Sequence, residues 1–232
     1  MAINLEKGQR INLEKSNGSK LTEFCVGVNW GAIMHAVQEK SGFLGLSTKT
    51  VMRELDVDVD LSCVMTDDNG NLIDTLYSPL YNPQMFLSRG LPVGKDWSAD
   101  GSMYHTPDDT AGDKGGNDGL DNEIVQIDLT KVRSTITQIY FFLNIFQPRN
   151  IDFSQVPYVQ VRMFEGTPQQ VKSVFAQYDV AKDPQFAGKN ALVLGKLYRR
   201  NGEWRFAAIG DAYDDNYDLR NTIDRIMKNY AK

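Results

Sequence analysis

The sequence contains few of the residues that bind zinc or form disulfides. Its 232 residues include two cysteines, Cys25 and Cys63, and two histidines, His35 and His105. The spacing of these residues fits neither a zinc site nor a disulfide framework. Because both cysteines lie in apolar, strand-like segments, we expect buried structural thiols that are poor nucleophiles.

Long apolar runs and an excess of basic residues are also missing. No stretch approaches the roughly 20 apolar residues that span a bilayer, and residues 1–7 lack the apolar core of a signal peptide. We therefore expect a cytoplasmic protein with no transmembrane segment. The net charge of −5 argues against nucleic-acid binding, which needs clustered lysine and arginine. The sequence also has no Gly-x-Ser-x-Gly element and no P-loop, so it lacks the motifs of common hydrolases and nucleotide-binding enzymes.

Acidic residues, by contrast, are concentrated in two segments. In residues 54–61 aspartates alternate with apolar residues, so a strand would place Asp56, Asp58 and Asp60 on one face. Residues 96–123 contain eight carboxylates, one lysine and several glycines. Like charges about 4 Å apart repel by roughly 4 kcal/mol near a protein surface, and calcium, which takes about 6–8 oxygen ligands, would relieve that repulsion. Composition alone also fits an acidic loop that is simply solvated.

Short β-type segments separated by turns dominate the chain and predict an all-β protein, either a sandwich or a barrel. These segments are 24–30, 57–65, 71–77, 124–129, 138–146, 158–165, 191–198 and 204–208. Asn69-Gly70 and Asn201-Gly202 favour tight hairpin turns between adjacent antiparallel strands. Residues 139–146 are almost all apolar, as in a central strand covered on both faces. Periodicity leaves residues 171–180 open between a helix and a strand.

The remaining segments interrupt or follow this β pattern. Apolar residues recur at helical spacing near residues 216–230, so we predict a C-terminal helix that packs on the sheet, with a partner-docking helix as the alternative. Residues 31–54 and 81–96 carry glycine or proline and are predicted to be surface loops. We treat both as insertions into a single domain, 1–232.

Two familiar calcium motifs do not fit the acidic segments. An EF-hand starting at Asp56 is excluded because Leu61 occupies the position where that loop needs glycine for its sharp turn. Residues 115–121 are similar to a calcium-binding nonapeptide repeat, but that architecture stacks several copies and the chain has one. Neither motif therefore accounts for the acidic segments.

Six ordered motifs spread over most of the chain resemble the TerD family of tellurite-resistance and stress-response proteins. The motifs are LEKGQRINL (5–13), VGVNW (26–30), DVDLS (58–62), DGSMYHTPDDTAG (100–112), DNEIVQIDL (121–129) and GKLYRRNGEWRF (195–206). The resemblance implies an antiparallel β-sandwich with acidic metal-binding loops and a short C-terminal helix. It also implies that calcium is held where the aspartate strand meets the glycine-rich acidic segment.

The resemblance further implies which residues bind the metal. Carried over position by position, the ligands are Asp58, Asp60, Asp108, Asp109, Asp121, Asn122 and Glu123. Asn122 stands where the family often has an aspartate, a change that keeps an oxygen ligand and removes a charge. His105 borders these residues, and we expect its ring to hydrogen-bond to a ligand carboxylate rather than to act as a general base.

The function expected on this basis is that of a non-enzymatic, calcium-binding stress-response protein of the tellurite-resistance type. A calcium-dependent membrane or protein adaptor module is the alternative, and a metal-assisted hydrolase is the least favoured interpretation. The expected partners are calcium ions and either other tellurite-resistance-type proteins or a membrane-associated complex, with no nucleic acid among them.

Overall fold

Two six-stranded sheets face each other across an apolar core in the computed structural model, which describes residues 2–15, 17–41, 47–180 and 184–231. In spatial order, the first sheet contains β1 (Ile3–Asn4), β12 (Gln170–Asp179), β11 (Val159–Thr167), β3 (Glu23–Trp30), β9 (Glu123–Asp128) and β8 (Met103–His105). The second contains β2 (Arg10–Asn12), β14 (Glu203–Tyr213), β13 (Ala191–Arg200), β10 (Gln138–Gln147), β6 (Asp58–Thr66) and β7 (Leu72–Leu76).

The pairing of the strands confirms the predicted antiparallel β-sandwich. All neighbouring strands in the two sheets run antiparallel except β1, which is parallel to β12. Asn201 and Gly202, with φ values of 54° and 80°, form the turn between β13 and β14. Two successive residues with positive φ match the hairpin turn whose twist suits paired strands.

Strand β10 is mostly apolar because the second sheet is covered on both faces. Phe141 points into the core between the sheets, whereas Phe142 belongs to a separate apolar cluster on the outer face. The predicted C-terminal helix, α2 (Leu219–Asn229), supplies Ile223 and Ile226 to that outer cluster. Both faces of the strand are thus largely removed from water, as expected for a strand with no regular polar alternation.

The prediction of a surface loop at 31–54 was wrong. This segment forms a β-hairpin from β4 (Ile33–Ser41) and β5 (Ser47–Leu55), which pair with each other as a separate two-stranded sheet. Gly42 and Gly45, which favoured the loop, lie outside the described residues. The β-branched residues of the two strands, such as Val37 and Val51, favour strand structure, and the prediction gave the glycines more weight.

The other uncertain segments adopt mixed structure. Residues 81–96 contain a short helix, α1 (Pro83–Leu87), and their aromatic side chains Tyr81 and Phe86 are buried, so this loop is less superficial than predicted. The ambiguous segment 171–180 is mostly strand β12. Within the described ranges, no helix has the length and apolar character needed to cross a membrane.

Candidate metal centre

Three carboxylates from distant parts of the chain converge where the two sheets meet. Asp60 lies on β6 of the second sheet, Glu123 begins β9 of the first sheet, and Asp108 follows β8. One oxygen from each carboxylate lies within 4.8 Å of the others. Asp60 and Glu123 are 3% and 0% exposed. The fold therefore gathers acidic groups, and two of the three side chains have almost no exposed surface.

The strand alternation explains why β6 delivers its aspartates to this centre. Asp58 and Asp60 are two residues apart on β6, so their side chains leave the strand on the same face. Asp56, predicted on that face as well, precedes the strand, is exposed, and pairs instead with Lys114 at 3.0 Å. The first acidic segment thus contributes two carboxylates to the centre.

Protein donors satisfy only some of the carboxylate oxygens. The main-chain N–H of Leu61 donates to Oε2 of Glu123 at 2.7 Å, and the hydroxyl of Tyr81 donates to Oδ2 of Asp60 at 2.7 Å. Oδ1 of Asp58 and Oδ1 of Asp108 are buried without a hydrogen-bond partner among the described residues. Buried carboxylate oxygens without a donor are costly, so this arrangement suits a bound cation.

Burial and mutual repulsion raise the pKa values of the clustered acids. Burial, reinforced by the charges of Asp108 and Asp109, raises the pKa of Asp58 to about 7. The pKa of Asp60 is raised well above its ordinary range by burial and by Asp58. Burial and the charge of Asp60 do the same to the pKa of Glu123. A cation would restore the ionised forms that these surroundings disfavour.

His105 packs beside the acids, but its ring does not bond to them. Nδ1 lies 2.6 Å from the carbonyl oxygen of Thr106, and Nε2 lies 2.7 Å from that of Leu61. Nε2 is 3.6 Å from Oε2 of Glu123, which is beyond hydrogen-bond distance. The predicted hydrogen bond between His105 and a ligand carboxylate was therefore wrong, because both ring nitrogens face main-chain oxygens instead.

Asn122 serves as a donor in this structure. Its Oδ1 accepts the main-chain N–H of Trp30 at 2.8 Å, which fixes the orientation of the amide. Its Nδ2 then donates to Oδ2 of Asp109 and to Oδ1 of Asp113, both at 3.1 Å. Asn122 and Asp109, both predicted as metal ligands, thus belong to a neighbouring acidic cluster in which an amide sits between two carboxylates.

Asp121 is held by an ion pair and does not join the three converging carboxylates. Nε of Arg162 lies 2.8 Å from Oδ1 of Asp121. Burial raises the pKa of Asp121, and the hydrogen bond and charge of Arg162 act against that rise. Gly27 makes room for the carboxylate, since a Cβ at Gly27 would lie 2.3 Å from Oδ2 of Asp121.

Two aromatic residues that shape the centre were not among the predicted site residues. Tyr81, which donates to Asp60, lies in a segment that was predicted to be a surface loop, and no local sequence pattern identifies it as a site residue. Trp30 lies within one of the resembling motifs; its indole N–H donates to the carbonyl oxygen of Val57 at 2.6 Å. Gly112, with a φ of 70°, passes so close that a Cβ would lie 2.6 Å from the Trp30 ring.

A cavity of about 290 Å³ opens over the converging acids. Asp58, Asp60 and Asp108 line it together with the apolar side chains of Leu80 and Phe146. Leu80 is 71% exposed. The acidic centre can therefore be approached from solvent through an opening with apolar walls.

The chain is similar over most of its length to known proteins of one family. The TerD domain profile matches residues 1–225. The chain is 30% identical over 229 residues to Stress response protein SCP2 of Bacillus subtilis (strain 168), covering 98% of this chain and 100% of that protein. It is 29% identical over 215 residues to Tellurium resistance protein TerD of Serratia marcescens, covering 92% of each.

A solved structure shares the fold. The crystal structure of a homologue of telluride resistance protein (TerD) from Streptomyces coelicolor A3(2) superposes with a TM-score of 0.56 at 14% sequence identity. The match covers 91% of this chain and 98% of that one. At this sequence identity, the structural similarity shows a shared fold and nothing about function.

Proposed function

The chain belongs to the TerD domain family of tellurite-resistance and stress-response proteins, and on that premise we propose that it is a non-enzymatic protein that binds calcium. The convergence of Asp60, Asp108 and Glu123 carries this proposal. The unpartnered oxygens of Asp58 and Asp108 support it, because they are donors that a cation would complete.

The donor set favours calcium over other metals. The three converging groups are carboxylates, and the nearby His105 nitrogens face main-chain carbonyls, which argues against zinc. Magnesium usually retains several waters and uses one or two carboxylates, whereas calcium accepts several carboxylates in flexible arrangements. Asp58, Asp60, Asp108 and Glu123 would hold the ion. Bound calcium would neutralise these acids and brace the junction of the two sheets.

We expect one calcium ion rather than two from the way the neighbouring acids are satisfied. Asp109 and Asp113 already share the amide of Asn122, and Tyr158 donates to the second oxygen of Asp113 at 2.9 Å. Asn122→Asp would replace that amide donor with a third carboxylate. The calcium stoichiometry measured by native mass spectrometry should then rise from one to two, and two ions in the wild type would contradict this reasoning.

The contacts of the His105 ring with main-chain oxygens support the non-enzymatic part of the proposal. A general base needs a ring nitrogen within reach of a substrate. His105 is 1% exposed, and both of its nitrogens lie against main-chain oxygens. We also propose that the protein works in the cytoplasm, supported by Cys25 and Cys63, which are buried, free thiols.

Thiol chemistry is not part of the proposed function. Burial raises the pKa of the Cys25 thiol to about 12, and Cys63 is buried with its pKa raised still further by the same cause. Neither side chain would form the thiolate that reacts with an oxyanion or an oxidant near neutral pH. A contribution to tellurite tolerance would therefore come through calcium and partner binding.

Direct binding measurements test the proposal. Calcium titrated calorimetrically into chelator-treated protein should bind saturably. Asp108→Asn and Glu123→Gln should each weaken binding by more than about tenfold, since even supporting residues around a metal contribute that much. Asp68→Asn removes an exposed acid from the turn after β6 and serves as the matched control. If all three variants bind calcium like the wild type, the site assignment fails.

The exposed apolar side chain of Leu80 favours a second candidate function, that of a membrane or protein adaptor. Leu80 borders the cavity over the acids, so calcium and an apolar contact would lie side by side on one surface. A membrane or protein adaptor would show calcium-dependent sedimentation with anionic vesicles or co-elution with a partner. Leu80→Ser should abolish that sedimentation and leave calcium affinity unchanged; vesicle binding without calcium would argue against this role.

A further inference from the structure

The hairpin formed by β4 and β5 stands apart from the sandwich. Each strand has nine residues, which corresponds to a length of about 30 Å. Val37 pairs with Val51 near the middle of the two strands. Among the described residues, β4 and β5 pair only with each other, so each strand has one unpaired edge.

Contacts at its base hold this hairpin in position. Ile33, at the start of β4, packs against the core between the sheets. Beside it, the N–H of Ala32 donates to the carbonyl oxygen of Asp113 at 2.9 Å. At the end of β5, Glu54 accepts the N–H of Gly115 at 2.6 Å. The base is fixed, whereas the residues of both strands beyond it are exposed or half-buried.

A ribbon of two strands lacks most of the stabilisation of a larger sheet. Isolated hairpins are marginally stable in water, and three or more strands are normally needed. Their outer edges also present unpaired N–H and C=O groups, which favour pairing with another strand. Met34 and Met52 on the hairpin are 53% and 57% exposed. The hairpin therefore has both the polar edge and the apolar surface that a strand partner would cover.

The charge pattern identifies which edge can pair with itself. Two copies related by a two-fold axis pair antiparallel about a single residue. With Val37 at the axis, β4 places His35 directly opposite Glu39 of the second copy, and the two valines face each other. Arg53 donates to Oε1 of Glu39 at 2.6 Å, so Oε2 can accept from the imidazole of the second copy.

The edge of β5 does not have this complementarity. The equivalent pairing about Val51 places Arg53 directly opposite Lys49 of the second copy, once on each side of the axis. Like charges directly opposite each other destabilise a strand pair, whereas opposite charges and hydrogen-bonding pairs stabilise it. The two edges of the hairpin therefore differ in their ability to join two copies.

We propose that the protein forms a homodimer in which the β4 edges of two copies pair antiparallel about Val37. The two hairpins then form a four-stranded sheet in the order β5, β4, β4, β5. This pairing covers less area than the roughly 800 Å² per partner of a standard interface, so the dimer is reversible and depends on concentration. It uses no residue of the proposed calcium centre.

Cross-linking tests the edge and the register together. Val37→Cys places two thiols opposite each other at the axis and should give a disulfide-linked dimer under mild oxidation. Val51→Cys is the matched control, because Val51 lies on the same face in the middle of the other strand and is similarly half-buried. The native cysteines, Cys25 and Cys63, are buried and should not cross-link.

A charge variant tests the pairing without weakening the hairpin. His35→Glu places a carboxylate opposite Glu39 of the second copy, but it also faces Arg53 within its own hairpin. It should therefore weaken dimerisation by at least about tenfold while the ribbon stays intact. Sedimentation equilibrium over a wide range of protein concentrations measures the effect.

The results separate this proposal from the calcium proposal. The dimer should form both in excess chelator and in calcium, so a failure of calcium binding leaves it untouched. A monomer at every concentration, with no Val37→Cys cross-link, would overturn the proposal. Equal cross-linking of both cysteine variants, or assembly beyond a dimer, would show that the wrong edge or the wrong symmetry was assigned.

Discussion

Removing calcium should destabilise the fold in a way that depends on pH. In the metal-free protein, the carboxylates of Asp58, Asp60 and Glu123 have raised pKa values. Between an unfolded pKa near 4 and the raised pKa values of the folded state, the native state binds more protons than the unfolded state. The free energy of unfolding therefore falls as the pH rises through this window.

The pKa of Asp58 sets the size of the effect. It rises from 3.8 to about 7, and at about 1.4 kcal/mol per pKa unit the unneutralised carboxylate destabilises the native state by up to about 4 kcal/mol. Calcium at 100 times its dissociation constant would stabilise the native state by about 2.7 kcal/mol. For a chain of this size, that corresponds to a rise of about 5–10 °C in the unfolding midpoint.

Thermal unfolding followed by circular dichroism provides the assay. Chelator-treated protein is compared with and without millimolar calcium at about pH 5 and about pH 8, on either side of the titration of Asp58. Calcium binds the ionised carboxylates, so its stabilising effect should be larger at the higher pH. Asp108→Asn and Glu123→Gln should lose most of the calcium effect, and Asp68→Asn should retain it.

Two results would refute this reasoning. A verified metal-free sample whose midpoint does not change on adding calcium at either pH would show that the converging acids do not bind the ion. A calcium effect of equal size in Asp108→Asn, Glu123→Gln and the wild type would place the binding site elsewhere in the protein.

Three further substitutions probe the neighbourhood of the centre. Tyr81→Phe removes the hydrogen bond to Asp60, leaves a buried oxygen without a donor, and should cost about 1–3 kcal/mol in chelator, measured by urea unfolding; a loss below about 0.5 kcal/mol would contradict the bond. Burial acts to raise the pKa of Asp100, but hydrogen bonds from serine hydroxyls and main-chain N–H groups lower it to about 2, so Asp100→Asn should cost about 1–2 kcal/mol above about pH 4, and most of this cost should be lost as the pH falls through about 2. Gly27→Ala should displace Asp121 and cost about 1–3 kcal/mol, yet leave calcium affinity unchanged in calorimetry; weakened calcium binding would place Asp121 in the centre after all.

Local sequence patterns predicted most of the sheets. The apolar run of β10, the hairpin turn at Asn201-Gly202 and the helical spacing before Tyr230 each reflect interactions between residues close in sequence, and the structure has a strand, a turn and a helix there. The hairpin β4–β5 was missed because Gly42 and Gly45 were given more weight than the strand pattern on either side of them. Alternation alone could not show that this ribbon would pair outside both large sheets.

The amino-acid sequence by itself determined the strand pattern, the family resemblance and the supply of acidic residues near Asp60 and Glu123. Only the tertiary structure decided which acids meet, because Asp60 and Glu123 lie on strands of different sheets and their distance depends on how the sheets pack. The same packing turned Asn122 into a donor and brought Tyr81 to Asp60 from a segment with no local signal. Contacts between residues far apart in the chain depend on topology, which periodicity does not encode.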